Sequence, residues 1–344
     1  MVIDFLERSK MQKKINILGV ETSCDETAAA VVQNGRKILS NVISTQIDIH
    51  KKFGGVVPEI ASRAHLKIIS QVIDESLEKA NLKKNDLDAI AVTNGPGLVG
   101  ALLVGVSYAK TFAFVLNKKL ISVNHIAGHI CANYLESNFE PPFVCCVISG
   151  GHTNLIYVQD YDRFETLGQT RDDAVGEVYD KVARVLKLNY PGGPEIDKLA
   201  QMGNCNKIKF PQALLNKNFD FSFSGLKSHI INFVYKNQEN IDEIKEDIAA
   251  SFQFAVGQVI LKKTFMACKL KSCKKIALAG GVSANSYLRK IFIEACEKNN
   301  YELSIPKKNF CTDNAAMIAS SGYFGFLKNK FADLDLNAVP NLKI

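Results

Sequence analysis

Residues 15–33 read INILGVETSCDETAAAVVQ, and residues 143–159 read FVCCVISGGHTNLIYVQ. Each is a continuous apolar run, a short polar turn and a second apolar run, the pattern of two buried strands tightly joined. Each is followed by a third strand-like run, KILSNVIST at 37–45 and RFETLGQT at 163–170. Beyond these triplets helix and strand alternate. In the first half Leu66, Ile69, Val72, Ile73 and Leu77 recur at three- and four-residue steps, which predicts a helix over about 59–80. LDAIAVTNG then reads as a strand, LVGALLVGVSYAKTFAFVL as a buried helix, KLISVNH as a strand and 125–136 as a helix.

The second half predicts an amphipathic helix over 172–187, with Val175, Val178, Val182 and Leu186 on one side. An irregular stretch follows. After it come a helix near 241–269, the strand KKIALAG, a helix over 284–298, the strand ELSIP and a last helix from about 313. Element order repeats although the letters do not, which predicts two tandem mixed-sheet α/β units with a cleft between them. A single large α/β domain is the alternative. The expected division is an N-terminal extension over 1–13, a first lobe over 14–140, a second over 141–312, and a final helix over 313–330 packing back towards the first lobe.

The chain has 344 residues, 47% of them hydrophobic, enough for a large buried core. No uncharged apolar run approaches the roughly 18 residues that cross a bilayer. The opening MVIDFLERSKMQKK lacks the layout of a signal peptide and reads as a mobile or weakly helical extension. Nine scattered cysteines with no CxxC pair argue against a zinc ribbon and suit free thiols in a reducing cytosol. A formal charge of +7 is compatible with a polyanionic partner such as RNA without requiring one.

GxxxxGK[ST] is absent, which excludes a P-loop. Four other glycine-rich turns remain: NGPGLVG (94–100), ISGGHT (148–153), YPGGPEID (190–197) and AGGVSAN (279–285). Glycines at a strand end or before a helix leave backbone N–H groups free to face an anion, so a nucleotide lying between the halves would meet several of them. NHIAGHICANY (124–134) sets His125 and His129 four apart, on one side of a helix. Such a pair is either structural or metal-binding. Ile126, Ala127 and Gly128 separate the two, so the general-base Glu of HExxH is missing and peptide hydrolysis of that kind is disfavoured. A metal held here would act as a Lewis acid, with its third ligand from elsewhere. Asp313, in FCTDNAAMIA, is the candidate, and it also reads as the N-cap of the last helix.

Nine stretches occur here in the order of one known family: GVETSCDET, GGVVPEIASRAH, GPGLVGALLVG, HIAGH, ISGGHTNL, DDAVGEVYDKVARVLKLNYPGGP, FSFSGLK, AGGVSAN and FCTDNAAMIA. Between about Lys14 and Lys328 the chain resembles the TsaD family of tRNA threonylcarbamoyltransferases, once labelled sialoglycoprotein endopeptidases. The resemblance implies two duplicated RNase H-like lobes of the actin, sugar kinase and heat-shock ATPase superfamily, with an interlobe cleft. It implies transfer of a threonylcarbamoyl group from threonylcarbamoyl-AMP to N6 of the adenosine 3′ to the anticodon, in tRNAs that read codons beginning with A.

By the same resemblance His125, His129 and Asp313 would hold one divalent metal per subunit, iron(II) ahead of zinc. Val147, Ile148, Ser149, Gly150 and Gly151 would line the adenylate, and Asp180, Gly193, Asp197 and Asn285 would bind its nucleoside and phosphate parts. Glu26 is the candidate for taking a proton, and Cys24 beside it reads as a packed turn residue. The implied partners are tRNA, through its anticodon loop, a non-catalytic TsaB paralogue docked on helices of the first half, and the TsaE ATPase. No membrane is implied, and the setting would be cytoplasmic. Arg63, Lys67 and Lys227 are basic residues that RNA phosphates could meet. The competing readings are a kinase or ATPase of the same fold, a metalloprotease, and a non-catalytic scaffold of a tRNA-modifying assembly.

Overall fold

Every residue of β1 (Asn16–Glu21) and of β6 (Phe143–Ile148) is buried, which is why these runs show no alternation of apolar and polar residues. In this computed structural model, residues 14–213 and 218–344 are described. The extension expected over 1–13 lies outside the described residues.

The first sheet is ordered β3–β2–β1–β4–β5. β2 (Glu26–Gln33) and β3 (Lys37–Thr45) form an antiparallel meander with β1, while β4 (Ala89–Gly95) and β5 (Lys119–Asn124) continue it in parallel. The second sheet is ordered β8–β7–β6–β9–β10, from β7 (Thr153–Asp160), β8 (Arg163–Gln169), β9 (Lys275–Ala279) and β10 (Glu302–Ser304). Its first three strands are again an antiparallel meander and its last two are again parallel. The two halves therefore share one topology. Cys145 and Cys146, adjacent on β6, face opposite cores, and all nine thiols are unpaired.

Beside shorter helical turns, the helices are α1 (Pro58–Lys79), α2 (Val99–Val115), α3 (His125–Cys131), α4 (Val175–Val185), α5 (Gly192–Ala200), α6 (Ser224–Lys236), α7 (Ile241–Leu270), α8 (Ser286–Asn299) and α9 (Ala315–Leu327). Two of these, α5 and α6, occupy the stretch that reads as irregular. Gly192, Gly193 and Pro194 look like breakers, but they sit in the first turn of α5, where proline is tolerated because the first amides have no intrahelical partner. α3 is shorter than its expected 125–136 and passes into a 3₁₀ turn at Ala132–Tyr134. Leu66 turns outward on α1, unlike Ile69, Val72, Ile73 and Leu77. Among the described residues no helix is long and apolar enough to cross a membrane.

The last helix lies on the first sheet. It packs against β1, β2, β4 and α3, and Ala315, Ala316, Met317, Ile318 and Ala319 share a buried cluster with Ile17, Ala28 and Ala91. The approach is too close for side chains at two positions. A Cβ on Gly19 of β1 would come within 2.3 Å of the Ala315 carbonyl oxygen and 2.6 Å of the Ala319 nitrogen. One on Gly128 of α3 would meet Ile318 Cδ1 at 2.6 Å. Gly19→Ala should therefore lift α9 from the sheet and cost about 1–3 kcal/mol, as overpacking against backbone does. A denaturation midpoint unchanged from wild type would contradict this.

Candidate functional site

Asn124, at the end of β5, accepts hydrogen bonds from the Ile126 and Ala127 amides and so starts α3. That start presents His125 and His129 on the inner side of the helix, with ring centroids 4.6 Å apart. From the far end of the chain α9 brings Asp313 to them: its Oδ1 lies 3.6 Å from His125 Nε2 and 3.2 Å from His129 Nε2. One ligand atom from each of the three residues fits within 4.8 Å of the others. The helix cap expected of Asp313 belongs instead to Asn314, whose side chain accepts from the Met317 amide. With the cap on its neighbour, Asp313 faces both histidines through Oδ1.

His125 is oriented from behind. Its Nδ1 lies 3.1 Å from Glu21 Oε2 and 3.1 Å from Ser23 Oγ, and Glu21 in turn accepts from Thr93 Oγ1 at 2.6 Å. With a metal bound, a proton on Nδ1 held by that carboxylate would leave the Nε2 lone pair for the ion. Burial would lower the pKa of this imidazole, but the Asp313 and Glu21 carboxylates outweigh it and raise it to about 9 in the metal-free protein. Burial drives the pKa of His129 down.

Whether the cluster suits a cation can be judged from His129. It is fully buried, yet neither ring nitrogen has a hydrogen bond of acceptable direction, even with a carboxylate oxygen 3.2 Å from Nε2. An unpaired buried nitrogen facing a buried anion is costly unless something positive lies between them. Two imidazole nitrogens and a carboxylate oxygen are ordinary ligands for zinc or iron(II). The residues present fit the ion.

Beside this cluster the second half carries a cavity of about 400 Å³. Gly150, Asp180, Gly193, Asp197 and Asn285 all line it, so three of the four glycine-rich turns converge there. The fourth, at 94–100, does not. The cavity's walls come from the second half alone, and Arg184 ties the halves by donating to the Gly54 carbonyl at 2.7 Å. Asp180 accepts from the Gly192 amide at 2.7 Å, holding the head of α5 against α4, and burial raises its pKa. Asp197 is occupied by Ser286, whose amide and hydroxyl both donate to it. Asn285 caps α8 through Leu288 and donates to Gln253. Both are wall-builders whose polar atoms are largely spent.

Val147 and Ile148 lie elsewhere than the expected lining. Their side chains are fully buried in opposite cores, so they supply only the strand end that leads into the turn. Ser149 closes that turn by accepting from the His152 amide, while Gly150 and Gly151 are exposed, with open space where a β-carbon on either would stand. Glu26 begins β2 and accepts from Thr45 Oγ1, with its other oxygen buried and unpaired. The glutamate that reaches the cluster is Glu21, through His125. Burial and neighbouring Asp25 push the Glu26 carboxyl up to about 8. The Cys24 thiol is driven up by burial and by Asp25, which leaves it protonated and inert.

Sequence reasoning also missed His65 and His152. His65, buried on α1, lies 2.7 Å from Thr27 Oγ1 and 3.0 Å from the Cys24 carbonyl, and so pins the turn ahead of β2. His152 has its ring 6.5 Å from that of His125. Both stand inside quoted motifs, but nothing in their spacing pointed to the centre.

Two duplicated α/β lobes of this topology are the fold expected of actin, sugar kinases and heat-shock ATPases. Solved structures agree on the fold. HypF of T. kodakarensis superposes with a TM-score of 0.61 at 16% identity, over 94% of this chain and 49% of that one. Component A of the (R)-2-hydroxyglutaryl-CoA dehydratase of Acidaminococcus fermentans gives 0.55 at 15% identity, over 90% and 98%. The family model "TsaD: tRNA N6-adenosine threonylcarbamoyltransferase" matches residues 37–320. Proteins named tRNA N6-adenosine threonylcarbamoyltransferase from Clostridium kluyveri and Clostridium botulinum are each 56% identical, over 97% of this chain and 99% of theirs. The chain belongs to this family of transferases.

Because the folded state favours the neutral Glu26 carboxyl, its contribution to stability is fully present below the ordinary 4.5 and is lost as pH rises to about 8. Glu26→Gln should accordingly leave stability unchanged near the lower limit and raise it relative to wild type above the upper one. Denaturant titrations at several pH values will show parallel curves if burial does not act on this group.

Proposed function

We propose that this protein transfers the threonylcarbamoyl group from threonylcarbamoyl-AMP to N6 of the adenosine 3′ to the anticodon, in tRNAs reading codons that begin with A. The observation that carries the reading is a two-histidine, one-aspartate cluster next to a cavity built from glycine-rich turns, in a chain of this family. His125, His129 and Asp313 would hold the metal, iron(II) or zinc. When bound, it supplies Lewis-acid polarisation of the acyl carbonyl.

The remaining work falls to the chain's own groups. The cavity of Gly150, Asp180 and Gly193 takes the adenylate, with the Asp180 carboxylate offered to nucleoside hydroxyls and the glycine amides to phosphate. N6 forms a bond to the carbonyl carbon, the carbon–oxygen bond to phosphate breaks, and AMP departs with the electron pair. The N6 proton passes to a carboxylate, for which Glu26 is suited because its pKa is close to the working pH. N6 is a weak nucleophile, so holding it over the face of the carbonyl carbon supplies most of the rate. The nine free thiols and a tRNA substrate agree with a cytoplasmic setting.

The outer face of α1 and α2 supports a docking site for the TsaB paralogue. Leu66, Leu103 and Val115 are exposed there, around an apolar groove that includes Tyr108 and Phe112. Leu103→Asp should abolish co-purification with that paralogue, and retained binding would remove the surface from consideration. The TsaE ATPase completes the assembly in this reading.

Incubation with threonylcarbamoyl-AMP, unmodified tRNA and the two partners, followed by nucleoside mass analysis, should yield threonylcarbamoyladenosine. A chelator should stop it. His129→Ala should lose both the bound metal and the activity while keeping a cooperative unfolding transition; full activity in that variant would reject the metal role.

A further inference from the structure

A second cavity, of about 620 Å³, adjoins the 149–152 turn at His152. Gly150 walls the first cavity and His152 walls this one, so the two flank the segment that runs past the histidine cluster. Its floor is the end of the second sheet's meander. Asn154 on β7 and Gln169 on β8 are direct cross-strand partners, so their side chains leave the sheet on the same face. The neighbours of Asn154, Thr153 and Leu155, are fully buried on the opposite face. Among the described residues, neither the Asn154 and Gln169 side-chain carboxamides nor the His152 ring hydrogen-bonds to another protein group, although the Gln169 backbone amide donates to Asp220.

The opposite wall is the segment Pro340–Ile344. It is held in place by backbone bonds rather than left loose. The Val339 amide donates to the Asn94 carbonyl at 2.7 Å, and the Gly97 amide donates to the Pro340 carbonyl at 3.1 Å. Asn124, which caps the helix of the two histidines, donates from its side chain to the Lys343 carbonyl at 3.2 Å. One residue thus ties the metal-ligand helix to the wall of this cavity.

We infer that this cavity receives the acceptor nucleoside: an unstacked purine of the RNA, lying between Asn154 and Gln169 on one side and the 340–344 segment on the other. The inference rests on the acyl-transfer reading above and extends it to the second substrate. Acyl transfer brings the nucleophile over one face of a planar carbonyl whose leaving group stays bound in its own site. Two substrates therefore need two separate cavities that meet at the reacting carbon, and these two adjoin one turn beside the cluster. The volume suits a ligand of nucleoside size. Paired carboxamides offer both donor and acceptor to a base edge, the way single-stranded RNA bases are read.

The test uses full-length, metal-loaded protein and an anticodon stem–loop RNA with 2-aminopurine at the acceptor position. Wild type should change the probe's fluorescence saturably. Asn154→Ala and Gln169→Ala should each weaken that binding by about tenfold, as loss of one base-edge contact does. AMP affinity by calorimetry and metal content should stay at wild-type values. Gln169→Glu, which keeps the shape and alters the donor, should weaken the probe in the same way. Probe binding unaltered in all three variants would overturn the inference, as would an equal loss of AMP affinity, which would assign the cavity to the adenylate. A wild type that binds AMP and metal but leaves the probe unchanged would also overturn it. A wild type that binds neither AMP nor metal would instead sink the reading of the first cavity.

Discussion

The architecture depends on how closely one helix can approach one strand. α9 sits against β1 at a separation that only a glycine at position 19 permits, and against α3 where Gly128 leaves room for Ile318. That contact brings Asp313 to two histidines far back along the chain. The cap that starts α9 is Asn314, one residue on, so the helix is begun by one side chain and the cluster completed by the next. Packing density, not local propensity, sets the geometry of the cluster.

Burial then makes the cluster demanding. Two imidazoles and two carboxylates, Glu21 and Asp313, share a region largely closed to water. Glu21 is satisfied by Thr93, Ser23 and His125, which settles its charge and directs His125. His129 is left with no acceptable partner, and its unpaired nitrogen faces the same point as Asp313 and His125. Leaving such a nitrogen unpaired is costly, and a cation in the proposed site would be a compensation that matches the donors.

Duplication divides the labour. The first half, with α9, carries the ligand cluster, while the equivalent place in the second half opens into the cavity of Gly150, Asp180 and Gly193. The 149–152 turn joins the two, occupying in the second sheet the position that the Cys24–Asp25 turn occupies in the first. One turn is packed, and burial raises the pKa values of Cys24 and Asp25 there; the other is rich in glycine and exposed. The same supersecondary unit is closed by packing in one half and lines a cavity in the other.

Uninterrupted apolar runs and tight turns declared the paired strands, and the repeated element order declared the duplication, because a strand buried on both faces has no choice of residue type. The His125–His129 pair and the glycine-rich turns were equally legible, since their spacing is local. The helices α5 and α6 were not, because breakers in a first helical turn resemble a loop. Nor was the division between residues that face the cavity and residues that build its wall: Val147 and Ile148 are core, while Asp197 and Asn285 are committed to the start of α8. The sequence by itself determined the elements, their order and the inventory of chemical groups. Only the tertiary structure decided that Glu21, not Glu26, backs His125 and that the 340–344 segment walls a second cavity, because those meetings join residues distant in the chain.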